Sequence, residues 1–440
     1  MKQHCDRIIR AGVLVTQDEQ RRVLGDAAVA VTGDTITAVD HADVIAAEWS
    51  TDAVSDLSGM LVMPGLVNAH THVAMTFLRG LADDLPLMQW LTEHIFPVEK
   101  HLSVEIVEVS ALLGCAEMAA TGTTTLCDMY LIEDATFKAV DRAGLRMQGG
   151  EGLFAFPSPA YACIEDAFEL VRRQHDRYSS HSRIRHAVMP HAVYTSNPEM
   201  LARCAALAGE LGCGLHIHLA ETAAETAQCL ASFGKRPIPY CRDLGVLSPR
   251  TTVAHAVDVT DDELEILRES GICVAHNPVS NMKLASGAAR VPEMLAAGIC
   301  VGIGTDGAAS NNGLNMFTEM KTCALLHKLR YADPTCVPAA TVLDMATTGG
   351  AKCAGWPETG ALVPGAKADL IALDLSAPNL QPLYSAVSHI VYAATGHEVT
   401  HTMVGGEFVY ENGRHTRFDY PALLREVASI RRWVQKKITG

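Results

Sequence analysis

The chain has 440 residues, 48% hydrophobic and 19% charged, which is ample for a large core and excludes a disordered chain. Its net charge of −15 excludes the basic footprint of a nucleic-acid or anionic-membrane binder. No apolar run reaches the roughly 18 residues of a membrane span, Asp6, Arg7 and Arg10 interrupt any signal-peptide core, and 13 scattered cysteines without a CxxC fit a reducing compartment, so a cytoplasmic protein is expected.

Residues 7–40 carry short Val/Ile/Thr-rich runs separated by Gly25-Asp26 and Gly33-Asp34, a strand-and-hairpin pattern. From residue 61, strand-like and helix-like segments alternate. Eight runs have β character: LVMPGLVNAH (61–70), TTTLCDMY (123–130), RMQGGEGLF (146–154), IRHAVMPHA (184–192), GLHIHLA (214–220), TTVAHAV (251–257), GICVAHNP (271–278) and ICVGIGTD (299–306). Between them lie helices such as NPEMLARCAALAGELG, which opens on a capping Asn197 and Pro198 and stops at Gly212, and DDELEILRESG. After residue 364 the β texture returns in ADLIALDL and HTMVGGEFVYENG. The reading is an α/β fold: a (β/α)8 TIM barrel over residues 61–363, beside a small β-sandwich domain built from residues 1–60 and 364–440. A doubly wound open sheet competes, because alternation alone does not separate the two; the count of eight selects the barrel.

Polar residues gather where these strands end: His70, His72, His191, His218, His255, His276 and Asp306. In a barrel, all eight C-terminal strand ends surround one mouth, so residues distant in sequence converge. His70-Thr71-His72 puts two imidazoles on one side of a strand end. Such a pair is weak evidence alone, since 19 histidines in 440 residues give roughly one by chance. A second pair, His216-Ile217-His218, is followed by Glu221, a carboxylate close enough to a metal ligand to act as general acid or base. His216 lies deeper in its strand and takes a structural role. Asp306 ends the eighth strand, where a carboxylate can hold a divalent metal and accept a proton; His255 ends the sixth and can hold an attacking water or join the ligand shell.

Three motifs mislead. HEVTH (397–401) matches HExxH, but Gly396 before it and VGGEFVY after it read as a turn entering a strand, whereas that motif works on a helix. GIGTDG (302–307) matches GxGxxG without the acidic residue that a dinucleotide site needs. The HxE…PCxxC signature of zinc nucleobase deaminases is absent.

PGLVNAHTHVAMTFLRGLADDLPLMQWL resembles the amidohydrolase superfamily, and more narrowly the 5′-methylthioadenosine/S-adenosylhomocysteine deaminases. The likeness continues in order through ATGTTTLCDMY, HIHLAET, TVAHAV, AHNPVSNMKLASG and GTDGAASNN, covering most of residues 60–350. It implies the barrel beside a β-sandwich, and one divalent metal; zinc is the default, and iron or manganese accept the same N/O donors. It further implies His70, His72, His218 and Asp306 as metal ligands and Glu221, His255 and Asp306 as catalytic residues. Substrate contacts follow: Trp90 against the nucleoside, Glu99 on the ribose hydroxyls, His191 near the sugar and 5′ region and Ser310 at the mouth, with Glu221 and Asp306 also on the substrate. Without the resemblance, Trp90 reads as a core aromatic and Glu99 as a solvated helix charge. The implied protein is a homo-oligomer acting on a small nucleoside, with no nucleic acid and no membrane.

Two positions depart from the family pattern. Val193 in PHAVYT replaces the usual proline. Glu151-Gly152-Leu153 stands where the family commonly has Arg-Gly-Leu, its arginine placed to pair with the homocysteine carboxylate. A glutamate there repels that carboxylate, so neutral 5′ groups are expected to be preferred: methylthioadenosine, adenosine and 5′-deoxyadenosine over S-adenosylhomocysteine. The implied reaction is metal-dependent hydrolytic deamination to inosine-type products and ammonia. The alternatives are triazine dechlorination or guanine or cytosine deamination by the same donor set, and a scaffold without activity, against which every ligand position is filled.

Overall fold

The computed structural model describes residues 2–439, so positions 1 and 440 of the expected terminal unit lie outside the described residues. Eight strands form one parallel sheet in sequential order: β1 (Leu66–Thr71), β2 (Thr123–Tyr130), β3 (Arg146–Leu153), β4 (Ile184–Pro190), β5 (Gly214–Leu219), β6 (Thr251–His255), β7 (Cys273–His276) and β8 (Cys300–Ile303). Every residue of β2 and β3 is buried, as expected for parallel strands covered on both faces. β8 returns to β1, where the Asp306 amide donates to the His70 carbonyl at 3.0 Å. Only glycine fits this seam at position 304, because a Cβ would lie 2.7 Å from the His70 backbone.

The intervening helices carry the signals read from sequence. The Asn197 side chain accepts from the Met200 amide at 2.9 Å, Pro198 occupies the first turn of the Pro198–Leu211 helix, and Gly212 ends it at φ +66°. The Asp261–Ser270 helix also has a signal that the sequence reading did not single out, a reciprocal capping box between Thr260 and Glu263.

The termini build a second, mixed eight-stranded sheet. Its order is Arg414–His415, Glu407–Glu411, Val399–Val404, Leu370–Asp374, Val54–Pro64, Arg7–Val15, Val23–Thr32 and Thr35–His41. Alternate residues such as Ile9 and Ala11, Ala27, Val29 and Val31, and Leu370 and Ala372 enclose its own core. The apolar run 61–70 is therefore not one strand. Residues up to Pro64 pair in the terminal sheet, and the barrel strand starts at Leu66, with Gly65 packed against Thr124 between them. The C-terminal segment also does more than build sheet: the Tyr420–Thr439 helix packs on the barrel helix Val104–Ala120. A buried, two-pronged ion pair from Arg146 in β3 to Asp369, at 2.8 and 2.9 Å, ties the two units together.

Candidate active site

The C-terminal strand ends bring His70, His72, His218, His255, Glu221, His191 and Asp306 to one mouth. All but His70 line the same cavity, with Trp90, Glu99, Tyr130, Phe154, Tyr194 and Ser310. His70 sits just beneath, its ring 4.8 Å from those of both His72 and His218.

Each ring is oriented through its other nitrogen. His72 Nδ1 donates to the Met129 carbonyl at 2.5 Å, and His218 Nδ1 to the His191 carbonyl at 2.7 Å. His70 Nδ1 lies 2.9 Å from His216 Nε2, and the two rings stack. His216 thus has the structural role expected of it: it fixes the ring of His70, and its own Nδ1 meets the Cys127 thiol at 3.4 Å. Asp306 is fixed as firmly. Ser280 and Ser310 hydroxyls donate to its Oδ2 at 2.6 and 2.9 Å, and the Gly307 amide to Oδ1 at 2.8 Å.

These constraints leave Nε2 of three histidines and one carboxylate oxygen converging. His72 Nε2 lies 3.2 Å from His218 Nε2 and 3.2 Å from Asp306 Oδ1; His70 Nε2 lies 3.5 Å from the same oxygen. A tetrahedral zinc with Zn–N and Zn–O of about 2.0–2.2 Å sets its donors about 3.3–3.6 Å apart. The His70 Nε2 is buried and has no hydrogen-bond partner, a costly arrangement unless a cation takes the lone pair. The two facing Nε2 atoms of His72 and His218, each with its Nδ1 proton already donated elsewhere, make the same demand. The donor set therefore fits one divalent metal.

Beside it, His255 takes hydrogen bonds at Nδ1 from the side-chain amides of Asn281 (2.9 Å) and Asn277 (3.3 Å), which leaves the proton of the neutral ring on Nε2. That Nε2 lies 4.0 Å from Glu221 Oε2. Burial, then the neighbouring Asp306 charge, push the Glu221 carboxyl up to about 8, and Ser286 donates to its Oε1 at 3.3 Å. His255 and Asp306 hold the left-handed backbone conformation, at φ +74° and +61°, strain of the kind that surrounding structure maintains at functional sites.

Trp90 and Glu99 come from the helical segment Leu87–Glu99, which covers the cavity. Both are buried rather than solvated, and Tyr130 donates its hydroxyl proton to Glu99 Oε1 at 2.7 Å. His191 stacks on Phe154 with ring centroids 4.9 Å apart. Ser310 lines the cavity while holding Asp306.

Glu151 is the correction. Gly152 lines the cavity, and by strand alternation Glu151 points away from it. Its two oxygens accept from the Ile132 and Glu133 amides at 2.9 and 2.8 Å, capping the Glu133–Ala143 helix. It faces no substrate tail, so the expected charge repulsion has no basis. Glu151→Gln replaces one acceptor oxygen with an NH2 group and leaves one buried amide unpaired. Urea denaturation should show a loss of about 1–3 kcal/mol, with the ranking of substrates unchanged. His276 also leaves the mouth: its Nε2 meets His327 Nε2 at 3.3 Å behind the strand. The HEVTH stretch enters the strand Val399–Val404, and GIGTDG ends β8 with Asp306.

Sequence reading missed Asn277, Ser280, Asn281 and Ser286, which hold the reacting side chains. They lie in AHNPVSNMKLASG, where no spacing marks them; only the fold brings them to His255, Asp306 and Glu221.

The Amidohydrolase family matches residues 61–409. A 5-methylthioadenosine/S-adenosylhomocysteine deaminase of Nitratidesulfovibrio vulgaris (strain Miyazaki F) is 64% identical over 438 residues, with 100% of both chains covered. The chain belongs to the 5-methylthioadenosine/S-adenosylhomocysteine deaminase family of amidohydrolases. A 5′-deoxyadenosine deaminase of Methanosarcina mazei is 42% identical to this amidohydrolase, over 96% of each chain. An adenosine deaminase of Xanthomonas campestris, solved with bound zinc, superposes on it with a TM-score of 0.96 at 36% identity, covering 99% of this chain and 100% of the other. No helix of this amidohydrolase among the described residues is long and apolar enough to cross a membrane.

Proposed function

We propose that this amidohydrolase deaminates adenine nucleosides hydrolytically, with neutral 5′ groups preferred. The observation that carries the reading is a buried carboxyl, Glu221, 4.0 Å from His255, beside the converging nitrogens of His70, His72 and His218 and the Asp306 carboxylate. The relatives named for methylthioadenosine, S-adenosylhomocysteine and 5′-deoxyadenosine support it.

His70, His72, His218 and Asp306 would hold the metal, for which zinc is our choice. When bound, a divalent cation lowers the pKa of water from about 15.7 toward 7. The Asp306 carboxylate accepts a proton from the attacking water, and His255 Nε2 orients it. The water oxygen bonds to C6 of adenine. Glu221, protonated at neutral pH by its burial, gives its proton to ring N1, so that the ring accepts the electron pair. The C6–N bond then breaks. Protons return through Glu221 and Asp306, ammonia departs, and the 6-oxo product remains, so adenosine plus water balances as inosine plus ammonia.

Trp90 packs against the nucleoside, His191 lies toward the 5′ side, and Glu99 accepts from the ribose hydroxyls. The Leu87–Glu99 segment forms the cover of this cavity. The cavity lining includes Leu87, Leu91, Met129, Leu131, Phe154 and Leu284 and, among the described residues, no Lys or Arg. An apolar lining without a cation suits methylthio or deoxy groups and gives a homocysteine carboxylate no partner, which restores the expected preference on different grounds from Glu151. Specificity constants for methylthioadenosine, 5′-deoxyadenosine, adenosine, S-adenosylhomocysteine and free adenine test the reading. S-adenosylhomocysteine at the top would overturn the 5′ preference, and free adenine matching the nucleosides would overturn the roles of Trp90 and Glu99.

The pH dependence of binding follows from Glu99. Burial raises its carboxyl to about 7, against the lowering effects of the Tyr130 hydroxyl and His72. It is ionised above that pH and accepts fully from the ribose; below it, protonation removes that acceptor. KM for adenosine should therefore rise as pH falls through about 7, while KM for the 2′,3′-dideoxy analogue should not follow. Parallel pH profiles for the two substrates would contradict the assignment.

A further inference from the structure

At the opposite end of the barrel lies a second group of metal-ligating side chains that the reaction does not use. Cys273 and Cys300 are the first residues of β7 and β8 and pair directly in register. Cys353 ends the short helix Gly350–Cys353, which is seated against these strands; a Cβ on Gly302 would lie 2.8 Å from its sulfur. The three sulfurs lie within 4.8 Å of one another. They line a cavity of about 880 Å3 at the N-terminal ends of the strands, and Cys273 and Cys300 are only half-buried, so solvent reaches them.

We propose that Cys273, Cys300 and Cys353 form a thiolate site for a soft d10 cation of the Zn2+ and Cd2+ class, separate from the catalytic centre. With Zn–S of about 2.3 Å, a tetrahedral zinc spaces its sulfurs about 3.8 Å apart, so side-chain movements within an ångström close the site. Three S–H bonds break, three metal–sulfur bonds form, and three protons leave to water in the cavity. A water from the cavity takes the fourth position. Three thiolates around a dication carry one net negative charge, and Lys352 in the same wall offsets it. Thiolates select such cations over the hard ones. The bound ion joins β7, β8 and the following helix, staples the base of the barrel and raises thermal stability by linkage.

The test uses full-length protein, reduced and stripped of metal, titrated with Cd2+. Two equivalents per chain are expected, one of them carrying a near-ultraviolet thiolate-to-cadmium charge-transfer band, which the nitrogen and oxygen donors of the catalytic site do not give. Cys300→Ser and Cys353→Ser should each remove the band. Cys213→Ser should keep it, although Cys213 lines the same cavity near His175 and His186. A single equivalent without the band, or a band that survives both Cys300→Ser and Cys353→Ser, would overturn the proposal. Should these variants misfold, alkylation of the unaltered chain decides. Cd2+ should slow modification of Cys273 and Cys300 at least tenfold while leaving the exposed Cys163 unchanged; equal slowing at all three, or none, would contradict the site.

Discussion

Glu221→Gln lowers kcat by about 100- to 10,000-fold, the range for loss of a positioned general acid, while metal content stays at the level of the unaltered protein. Glu221 belongs to none of the groups placed to hold a metal, and its Oε2 lies 4.0 Å from the neutral His255 ring. Glutamine keeps the side chain's shape and its acceptor toward Ser286, but it cannot shuttle a proton. KM should change little, because the loss falls on the transition state. Metal analysis and steady-state kinetics on the same preparation check this. Near-normal turnover would remove Glu221 from the mechanism, and loss of metal would make it a ligand.

His70→Ala has a different signature: metal and turnover disappear together. His70 is buried, its Nε2 has no other partner, and its Nδ1 is engaged by His216. Removing it takes one of four donors and leaves a cavity in its place. The loss in metal affinity should exceed the roughly 10- to 100-fold that removal of a ligand's orienting partner causes. Competition with a chromogenic chelator measures that affinity. Full metal occupancy with normal affinity in His70→Ala would contradict the donor set.

The barrel was legible because its signals are local and periodic, whereas the candidate donor set came from the family resemblance, and the structure brings its side chains together. Alternation put His70 and His72 on one side of a strand end, and the structure finds their rings meeting edge to face. The helix cap at Asn197 stood in sequence as it stands in the fold. Parity was harder. The period of two in RMQGGEGL says that Glu151 and Gly152 face opposite ways but not which one faces the mouth. The same ambiguity hid His276, whose neighbour Ala275 takes the inward position. The run 61–70 looked continuous because a strand of one sheet passes into a strand of another through Gly65 with no polar break. The serines and asparagines that hold Asp306 and His255 carried no pattern, since their meaning comes from contacts made across the mouth.

The most direct test of the account is incubation of the zinc-loaded protein with 5′-deoxyadenosine, following ammonia and the purine product together. Equimolar ammonia and 5′-deoxyinosine, both lost in Glu221→Gln, are the predicted result. A fully metal-loaded protein that releases no ammonia from this or any adenine nucleoside, yet turns over guanine or a chlorotriazine, would contradict it.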